Sequence, residues 1–314
     1  MKVSVILPCY NGASTVGEQL DALARQTYKG ELEVVFVNNG SSDNSVEIAE
    51  SYRDRLPGLR VVNAGAGPGK PIGHVSHSYT VGFGAVTGDV IFLCESDDIV
   101  EDNWLEILVP ELEHHDFVAP SIDYVMLNDE DIRPLPENAD QTPENGLPSQ
   151  VGPLFLTYAN CCAIGMTRAC FEKVGMPSTA VHTAWDVDYC WRVQLAGMKL
   201  HFVPEAVVHY RVRNNARARI NQAKTWGESH TYLLIRYGMP SMARYVAYCG
   251  WRLFRTTIYL GMGMASGKKN YAYWVWPLAF AIGQTKGIPI LARAKMGAFK
   301  DMRIKVDRKS LLAG

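Results

Sequence analysis

Apolar and polar positions alternate in blocks along the first hundred residues. Val3 to Leu7 (VSVIL) is an apolar run rich in β-branched residues, broken by Pro8-Cys9-Tyr10-Asn11-Gly12, and it predicts a buried parallel strand ending in a loop. Val16, Leu20, Leu23 and Ala24 then recur with helical spacing behind Ser14 or Thr15, either of which can serve as N-cap. The same unit repeats: Leu32 to Val37 (LEVVFV) runs into Asn38-Asn39-Gly40-Ser41-Ser42-Asp43 and a helical segment from about Asn44 to Arg55. Arg60 to Val62 starts a third strand, and a Gly-rich stretch from Ala64 to Gly69 precedes helix-like sequence to Val86. Asp89 to Leu93 (DVIFL) is a fourth strand that runs into Cys94-Glu95-Ser96-Asp97-Asp98.

Short connections between alternating strands and helices predict an α/β fold: a mainly parallel central sheet with helices on both faces and right-handed crossovers. Ligands in such sheets lie at the carboxyl ends of the strands. The polar clusters Pro8 to Asn11, Asn38 to Asp43 and Glu95 to Asp98 all fall there, so separate loops are placed to converge on one site. From about Asn128 to Pro153 the chain lacks periodicity and is rich in Pro, Asn, Asp and Glu, which predicts a functional or locally disordered loop. Asn160 to Met166 reads as a strand feeding a short helix at Thr167 to Val174, and Ala184 to Ala196 as a helix ended by Gly197. From Trp226 onward the sequence is aromatic, basic and mostly helix-like.

Charge changes the picture more than composition does. The formal net charge of −1 conceals 12 Lys+Arg against 29 Asp+Glu in residues 1–210, and 19 against 3 in residues 211–314. Such a split predicts two functional surfaces, the basic one suited to an anionic membrane or nucleic acid. No nucleic-acid-binding motif accompanies it, so a nucleic-acid partner is not expected. Within residues 211–314 the longest uncharged run, Asn270 to Thr285, is too short to span comfortably and contains Pro277. Tyr271, Tyr273, Trp274, Trp276 and Phe280 between flanking lysines instead resemble an interfacial segment, as does Thr256 to Gly267 with Arg252, Arg255, Lys268 and Lys269 around it. The alternative is an aromatic core packed on the acidic part, its basic residues neutralising that part or mediating homo-oligomer contacts. Seven cysteines without CxxC spacing suggest neither a disulfide framework nor a zinc site, and Val3 to Leu7 is too brief for a signal-peptide core, so a reducing, cytoplasmic setting is expected.

Three carboxylates within Glu95-Ser96-Asp97-Asp98 repel one another unless a cation or donors neutralise them. Mg²⁺ or Mn²⁺, held by one or two carboxylates plus phosphate oxygens, suits the cluster; a solvated acidic turn is the bland alternative. Asn38-Asn39-Gly40-Ser41 can recognise a base or ribose through its amides, yet any turn before an N-cap looks the same. Gly65, Gly67 and Gly69 lack the Lys-Ser/Thr ending of a phosphate loop and read as a flexible loop. In Trp185-Asp186-Val187-Asp188-Tyr189-Cys190-Trp191-Arg192, Asp186 and Asp188 lie about 200° apart on a helix, so one of them, not both, is expected to face a site. His209 alone is more often structural than a ligand.

Together these segments resemble the inverting family 2 glycosyltransferases of GT-A fold. VSVILPCYNG is similar to the family's opening strand, VVFVNNGSSDNS to its second strand and loop, GDVIFLCESDD to its metal-motif strand, and WDVDYCWRVQLAG with PEAVVHYR to its catalytic-base helix and trailing histidine. The resemblance covers roughly residues 3 to 211. It implies a GT-A domain over residues 1–212, with a nucleotide-binding half at 1–98 and an acceptor half at 99–212. Residues 213–314 form a basic helical region expected to associate with membrane. It further implies that Pro8, Tyr10, Asn38, Glu95 and Asp97 bind the nucleotide sugar, that Asp97 and His209 hold Mn²⁺ or Mg²⁺, and that Asp186 is the base. The expected donor is a UDP-, dTDP- or GDP-linked sugar, and the expected acceptor a lipid-linked or cell-surface glycan at the inner membrane face. Four positions depart from the family pattern: Asn38 and Glu95 where Asp is usual, Trp185 where Glu commonly precedes the base, and Tyr79-Thr80 where Arg-Asn is often found. These departures keep a non-catalytic nucleotide-sugar-binding scaffold in view, and a transferase on soluble or protein acceptors is the alternative among enzymes.

Overall fold

The computed structural model describes residues 1–134, 139–149, 154, 156–265, 271–304 and 306; part of the Pro- and Glu-rich loop and Lys268 and Lys269 lie outside the described residues. One eight-stranded sheet organises residues 1–209. In chain order its strands are β1 (Val3–Cys9), β2 (Leu32–Asn38), β3 (Leu59–Asn63), β4 (Val90–Leu93), β5 (Ile99–Val100), β6 (Phe117–Asp123), β7 (Gly165–Thr167) and β8 (Leu200–His209), and their order across the sheet is β3-β2-β1-β4-β7-β6-β8-β5. The first four are parallel, as their near-continuous apolar runs predict. β7 is antiparallel to both β4 and β6, and β5 is antiparallel to β8, so the second half is mixed. That half was the less legible one. β6 and β8 pair in parallel, but each carries a proline, and between Pro120 and Ser121 the register jumps so that Val203 and Val207 become successive partners. The Ser121 hydroxyl lies 2.9 Å from the Pro204 carbonyl and 3.1 Å from that of Ala206, which ties down the looped-out residues. Proline inside a strand is tolerated at such irregularities, and it hides the strand from a search for alternation.

The helices follow the apolar spacing: α1 (Val16–Ala24), α2 (Ser45–Glu50), α3 (Val75–Ala85), α4 (Trp104–Glu111), α5 (Arg168–Val174) and α6 (Trp185–Leu195). The second is shorter than expected, its last residues continuing as turns. Two buried clusters lie on opposite faces of the sheet, one with Leu20, Phe36, Phe92 and Trp104, the other with Tyr79, Phe83, Trp185, Tyr189 and Trp191. The Gly-rich stretch is structural: Gly69 N–H donates to the Gly40 carbonyl (2.8 Å), and a Cβ on Gly40, whose φ is +80°, would sit 2.6 Å from the Gly67 carbonyl oxygen.

The basic third forms three long helices, α7 (Ala216–Tyr237), α8 (Met242–Ala265) and α9 (Tyr271–Lys295). They approach closely at glycines. A Cβ on Gly227 of α7 would meet the Phe280 carbonyl oxygen at 2.1 Å, and one on Gly283 of α9 would meet that of Lys224 at 2.1 Å. α7 is shared between two cores. Leu233 and Tyr237 belong to the cluster around Trp185 and Trp191, while Ile235 packs with Tyr245, Cys249 and Leu291. Among the described residues, no helix is long and apolar enough to cross a membrane. Part of the interfacial expectation is corrected by the packing. Trp274 rests against Tyr259, Trp276 against Trp226, and Phe280 under the Arg252 guanidinium, so these α9 aromatics face neighbouring helices; the side chains of Tyr271 and Tyr273 lie outside the described residues.

Candidate active site

A cleft of about 1860 Å³ opens at the carboxyl ends of β1 and β4. Its floor is two loops riveted together by short side chains. Asn11 N–H donates to Ser41 Oγ (3.0 Å), Gly12 N–H to Ser45 Oγ (2.9 Å) and Ala13 N–H to Asp43 Oδ2 (3.0 Å), while Asn11 Oδ1 accepts from Ser42 N–H (2.8 Å). Burial tends to raise the Asp43 pKa, but hydrogen bonds from Ser45 and Ala13 outweigh it and hold the carboxyl below its ordinary value. This lattice uses the polar residues that read as turn and cap signals, and it fixes the surface from Pro8 to Gly12.

Five of the seven predicted site residues line the cleft: Pro8, Tyr10, Glu95, Asp97 and Asp186. Asn38 does not. Its Nδ2 donates to Asn63 Oδ1 (2.9 Å) and its Oδ1 accepts from Ser41 N–H (2.8 Å), so both ends of the amide serve the loop. The neighbouring Asn39 lines the cleft instead and clamps residue 72, accepting from Ile72 N–H (3.0 Å) and donating to its carbonyl (3.3 Å). His209 is also set apart. Its Nδ1 lies 2.7 Å from Asp123 Oδ2 and its Nε2 2.8 Å from Glu101 Oε1, so both ring nitrogens are engaged where β5, β8 and β6 meet. The expectation that it joins Asp97 as a ligand is not met by this arrangement, because an imidazole bonded at both nitrogens has no lone pair left to offer.

The acidic turn after β4 is charged and crowded. Glu95 accepts from Tyr79 Oη–H (2.8 Å) and from Cys161 Sγ–H (3.4 Å). Burial, then the Asp97 charge, push its pKa up to about 8 against the pull of those hydrogen bonds. Burial also raises Asp97, opposed by Arg213 and Arg211, and raises Asp98 well above the usual carboxylate range. Arg211 braces the turn: its backbone N–H donates to Asp98 Oδ1 (2.8 Å), its Nε to the Asp97 carbonyl (2.9 Å), and its guanidinium also pairs with Glu18. Asp98 Oδ2 is buried with no hydrogen-bond partner. Carboxylates raised by burial and by each other, with an orphaned oxygen among them, fit a hard divalent cation. They do not close a cage by themselves. Among the described residues, the three-ligand group within 4.8 Å is Glu111, His115 and His201, outside the cleft lining. An open set of oxygens is what a cation completed by diphosphate oxygens needs.

Asp186 stands across the cleft at the start of α6. Burial raises its pKa to about 6, and backbone N–H groups of Val187 (2.8 Å to Oδ1) and Cys161 limit the rise. Cys161 thus touches both ends of the site, its thiol on Glu95 and its backbone on Asp186. Trp185 is buried against Tyr79, whose hydroxyl holds Glu95, so the two aromatic departures from the family pattern form one support for the site. Sequence reading passed over Cys161, Arg211 and Arg213, and within the Asn38–Ser41 turn it singled out Asn38 where Asn39 lines the cleft. The one available signal was Arg211 and Arg213 alternating directly beyond the strand that carries His209. The far wall comes from the C-terminal helices, with Trp226, Trp276 and Pro277 lining the cleft.

The sequence profile of the family described as Glycosyl transferase family 2 matches residues 4–175. Among curated proteins, the chain is 29% identical over 114 residues to the glycosyltransferase GlyG of Streptococcus pneumoniae, covering 36% of each chain. It is 35% identical over 120 residues to the poly(ribitol-phosphate) beta-N-acetylglucosaminyltransferase TarS of Staphylococcus aureus, covering 37% of this chain and 19% of TarS. The matches therefore span about a third or less of these relatives. Among solved structures, a mannosyltransferase of Pyrobaculum calidifontis in complex with GDP-Man and Mn²⁺ superposes with a TM-score of 0.57 at 19% identity, covering 99% of this chain and 78% of its own. The S. aureus TarS fragment 1–349 in complex with UDP-GlcNAc gives 0.56 at 17% identity, covering 94% and 88%. These likenesses show a GT-A type fold.

Proposed function

The chain belongs to glycosyl transferase family 2, and on that premise we propose that it is an inverting, metal-dependent glycosyltransferase using a UDP-, dTDP- or GDP-linked sugar. The observation that carries the reading is the meeting, in one cleft, of the acidic turn after β4 with Asp186 from α6, the two held in register through Cys161. Tyr10, Asn39 and the riveted loops at Asn11–Ala13 and Ser41–Ser45 form the nucleotide floor. Asp97 and Asp98 are the residues that would hold Mn²⁺ or Mg²⁺, with Glu95 beside them, and the ion would supply positive charge to the nucleotide diphosphate.

The chain's own groups do the rest. Arg211 fixes the carboxylates of the turn, and Arg213 adds positive charge beside Asp97, where the leaving diphosphate is most negative. Asp186, with a pKa of about 6, is a carboxylate at neutral pH and is basic enough to take the proton of an acceptor hydroxyl as its oxygen attacks the anomeric carbon. The hydroxyl oxygen forms the new bond while the sugar–phosphate bond breaks on the opposite face, so configuration inverts. The cleft wall of Trp226, Trp276 and Pro277 suits a glycan, which stacks on aromatic faces, and the basic balance of residues 211–314 supports a lipid-linked acceptor presented at the anionic inner face of a membrane.

The test is thermal stability of the full chain with UDP, GDP, dTDP and CMP, each with and without Mn²⁺. A metal-dependent rise with one nucleotide identifies the donor class. No rise with any of them would sink the transferase reading and leave a scaffold.

A further inference from the structure

We propose that the outward face of α8 lies flat on an anionic lipid bilayer and is the surface by which this protein sits on a membrane. The inference deepens the membrane-face reading above and rests on it, assigning the contact to one helix.

Unlike an ordinary surface helix, α8 is apolar on its outer side as well as its inner one. The residues it buries against α7 and α9 are Tyr245, Cys249, Thr256 and Gly263. The residues it leaves outside include Val246, Trp251, Phe254, Ile258, Met262 and Met264, and Phe254 is 68% exposed and Met262 65%. At about 100° per residue these six side chains fall within about 80° of Phe254 on either side, a continuous stripe along a helix about 36 Å long. Single exposed apolar residues are ordinary, but a contiguous stripe of this length is not.

Charge selects the occupant. α8 and α9 contain no Asp or Glu. Arg244 and Arg255 lie along one margin of the stripe, and the Arg255 guanidinium sits 4.7 Å from the Trp251 ring centre, a cation and an aromatic side by side at the edge of an apolar face. Anionic headgroups neutralise such a margin while the stripe enters the acyl boundary. A second copy packed through the same face about a two-fold axis would set like charges against each other. The placement also links the surface to the cleft. The C-terminal half of α8 rests on Trp274 of α9 through Tyr259 and Gly263, and the same turn of α9 supplies Trp276 and Pro277 to the cleft wall.

The experiment is co-sedimentation of the full chain with vesicles of phosphatidylcholine alone and of phosphatidylcholine mixed with phosphatidylglycerol, repeated for Phe254→Glu/Ile258→Glu and for Arg244→Ala/Arg255→Ala. Both pairs are exposed, and an unchanged melting temperature and nucleotide response check folding. The expected result is binding to the anionic vesicles, weakened about tenfold or more by the glutamate pair and less by the alanine pair, with salt lowering the affinity. Binding that the glutamate pair leaves intact overturns the assignment to α8 while sparing the membrane-face reading. Failure of the unaltered chain to bind either vesicle overturns both, and a dimer in solution that the glutamate pair dissolves gives the face to a second copy.

Discussion

Asp186 and Asp188 stand two residues apart on α6 and point to opposite sides of it. Asp186 lines the cleft, whereas Asp188 is wholly buried between Arg192 (3.0 Å) and Arg236 (2.5 Å) and accepts a hydrogen bond from Tyr237 Oη (2.7 Å). The spacing predicted such a division of labour without saying which carboxylate took which part. Replacing Asp186 by Asn is expected to lower turnover by about 10²–10⁴-fold while the nucleotide-dependent thermal shift persists, because the base is lost and the donor site is not. Turnover in steady-state assays at an unchanged rate would remove the base assignment.

Asp188→Asn should act on stability instead. It leaves the Arg192 and Arg236 guanidinium groups buried without their counter-charge, and breaking such a pair costs about 3–5 kcal/mol. Chemical denaturation should show a large loss of stability, with the residual folded fraction retaining its nucleotide response.

The pH profile follows from the raised carboxyl of Asp186. The base works as a carboxylate, so kcat should fall as pH drops through about 6, approaching tenfold per pH unit below it. In the Asp186→Asn chain the residual rate should lose that acid limb. A limb that stays in place belongs to another group.

Glu95 makes a stability prediction of opposite character. Its pKa is raised from 4.5 to about 8, so the folded state holds that proton more tightly than the unfolded one. The stability it contributes is complete below pH 4.5 and is lost as pH rises through about 8. Without metal or nucleotide, the melting temperature should therefore decline between about pH 5 and pH 8.5, and Glu95→Gln should flatten the decline while harming activity. Scanning calorimetry across that range checks it, and Mn²⁺ with the right nucleotide should restore part of the loss at the alkaline end.

Gly227→Ala and Gly283→Ala should each force α7 and α9 apart, since the added methyl carbon would lie 2.1 Å from a backbone carbonyl oxygen. Overpacking of this kind costs about 1–3 kcal/mol. Gly250→Ala on the open side of α8, where no atom lies within 4 Å of the new carbon, should leave stability unchanged or improve it through helix propensity. Equal melting temperatures for all three chains would contradict the close approach.

The parallel half of the fold was legible because its strands are unbroken apolar runs ending in polar loops, and that same geometry placed Pro8, Tyr10, Glu95 and Asp97 at one edge. The mixed half was not, because Pro120 and Pro204 interrupt the alternation of β6 and β8 at a register jump that only pairing reveals. Asn38 and His209 illustrate a second limit. Each stands at a strand end near the site, yet the Asn38 amide is held by Asn63 and Ser41, and both ring nitrogens of His209 are engaged by Asp123 and Glu101. Which neighbour consumes a polar side chain is settled by residues distant in sequence. The outward stripe of α8 was legible only in part: Thr256 to Gly267 read as interfacial, but apolar periodicity did not say that Val246, Trp251 and Phe254 share the side its neighbours leave uncovered.

Arg236 and Tyr237 reach the buried Asp188 from the far end of a helix that begins beside the cleft. The acidic portion of the chain is therefore unfinished until the basic portion has arrived, and a ribosome that has released only the first 212 residues holds an intermediate in which the interior carboxylate of Asp188 has Arg192 but neither Arg236 nor Tyr237. The boundary that charge draws so sharply in the sequence is one that folding cannot respect. The two parts are expected to melt together, and a protease that nicks the segment between them should find it only after both have opened.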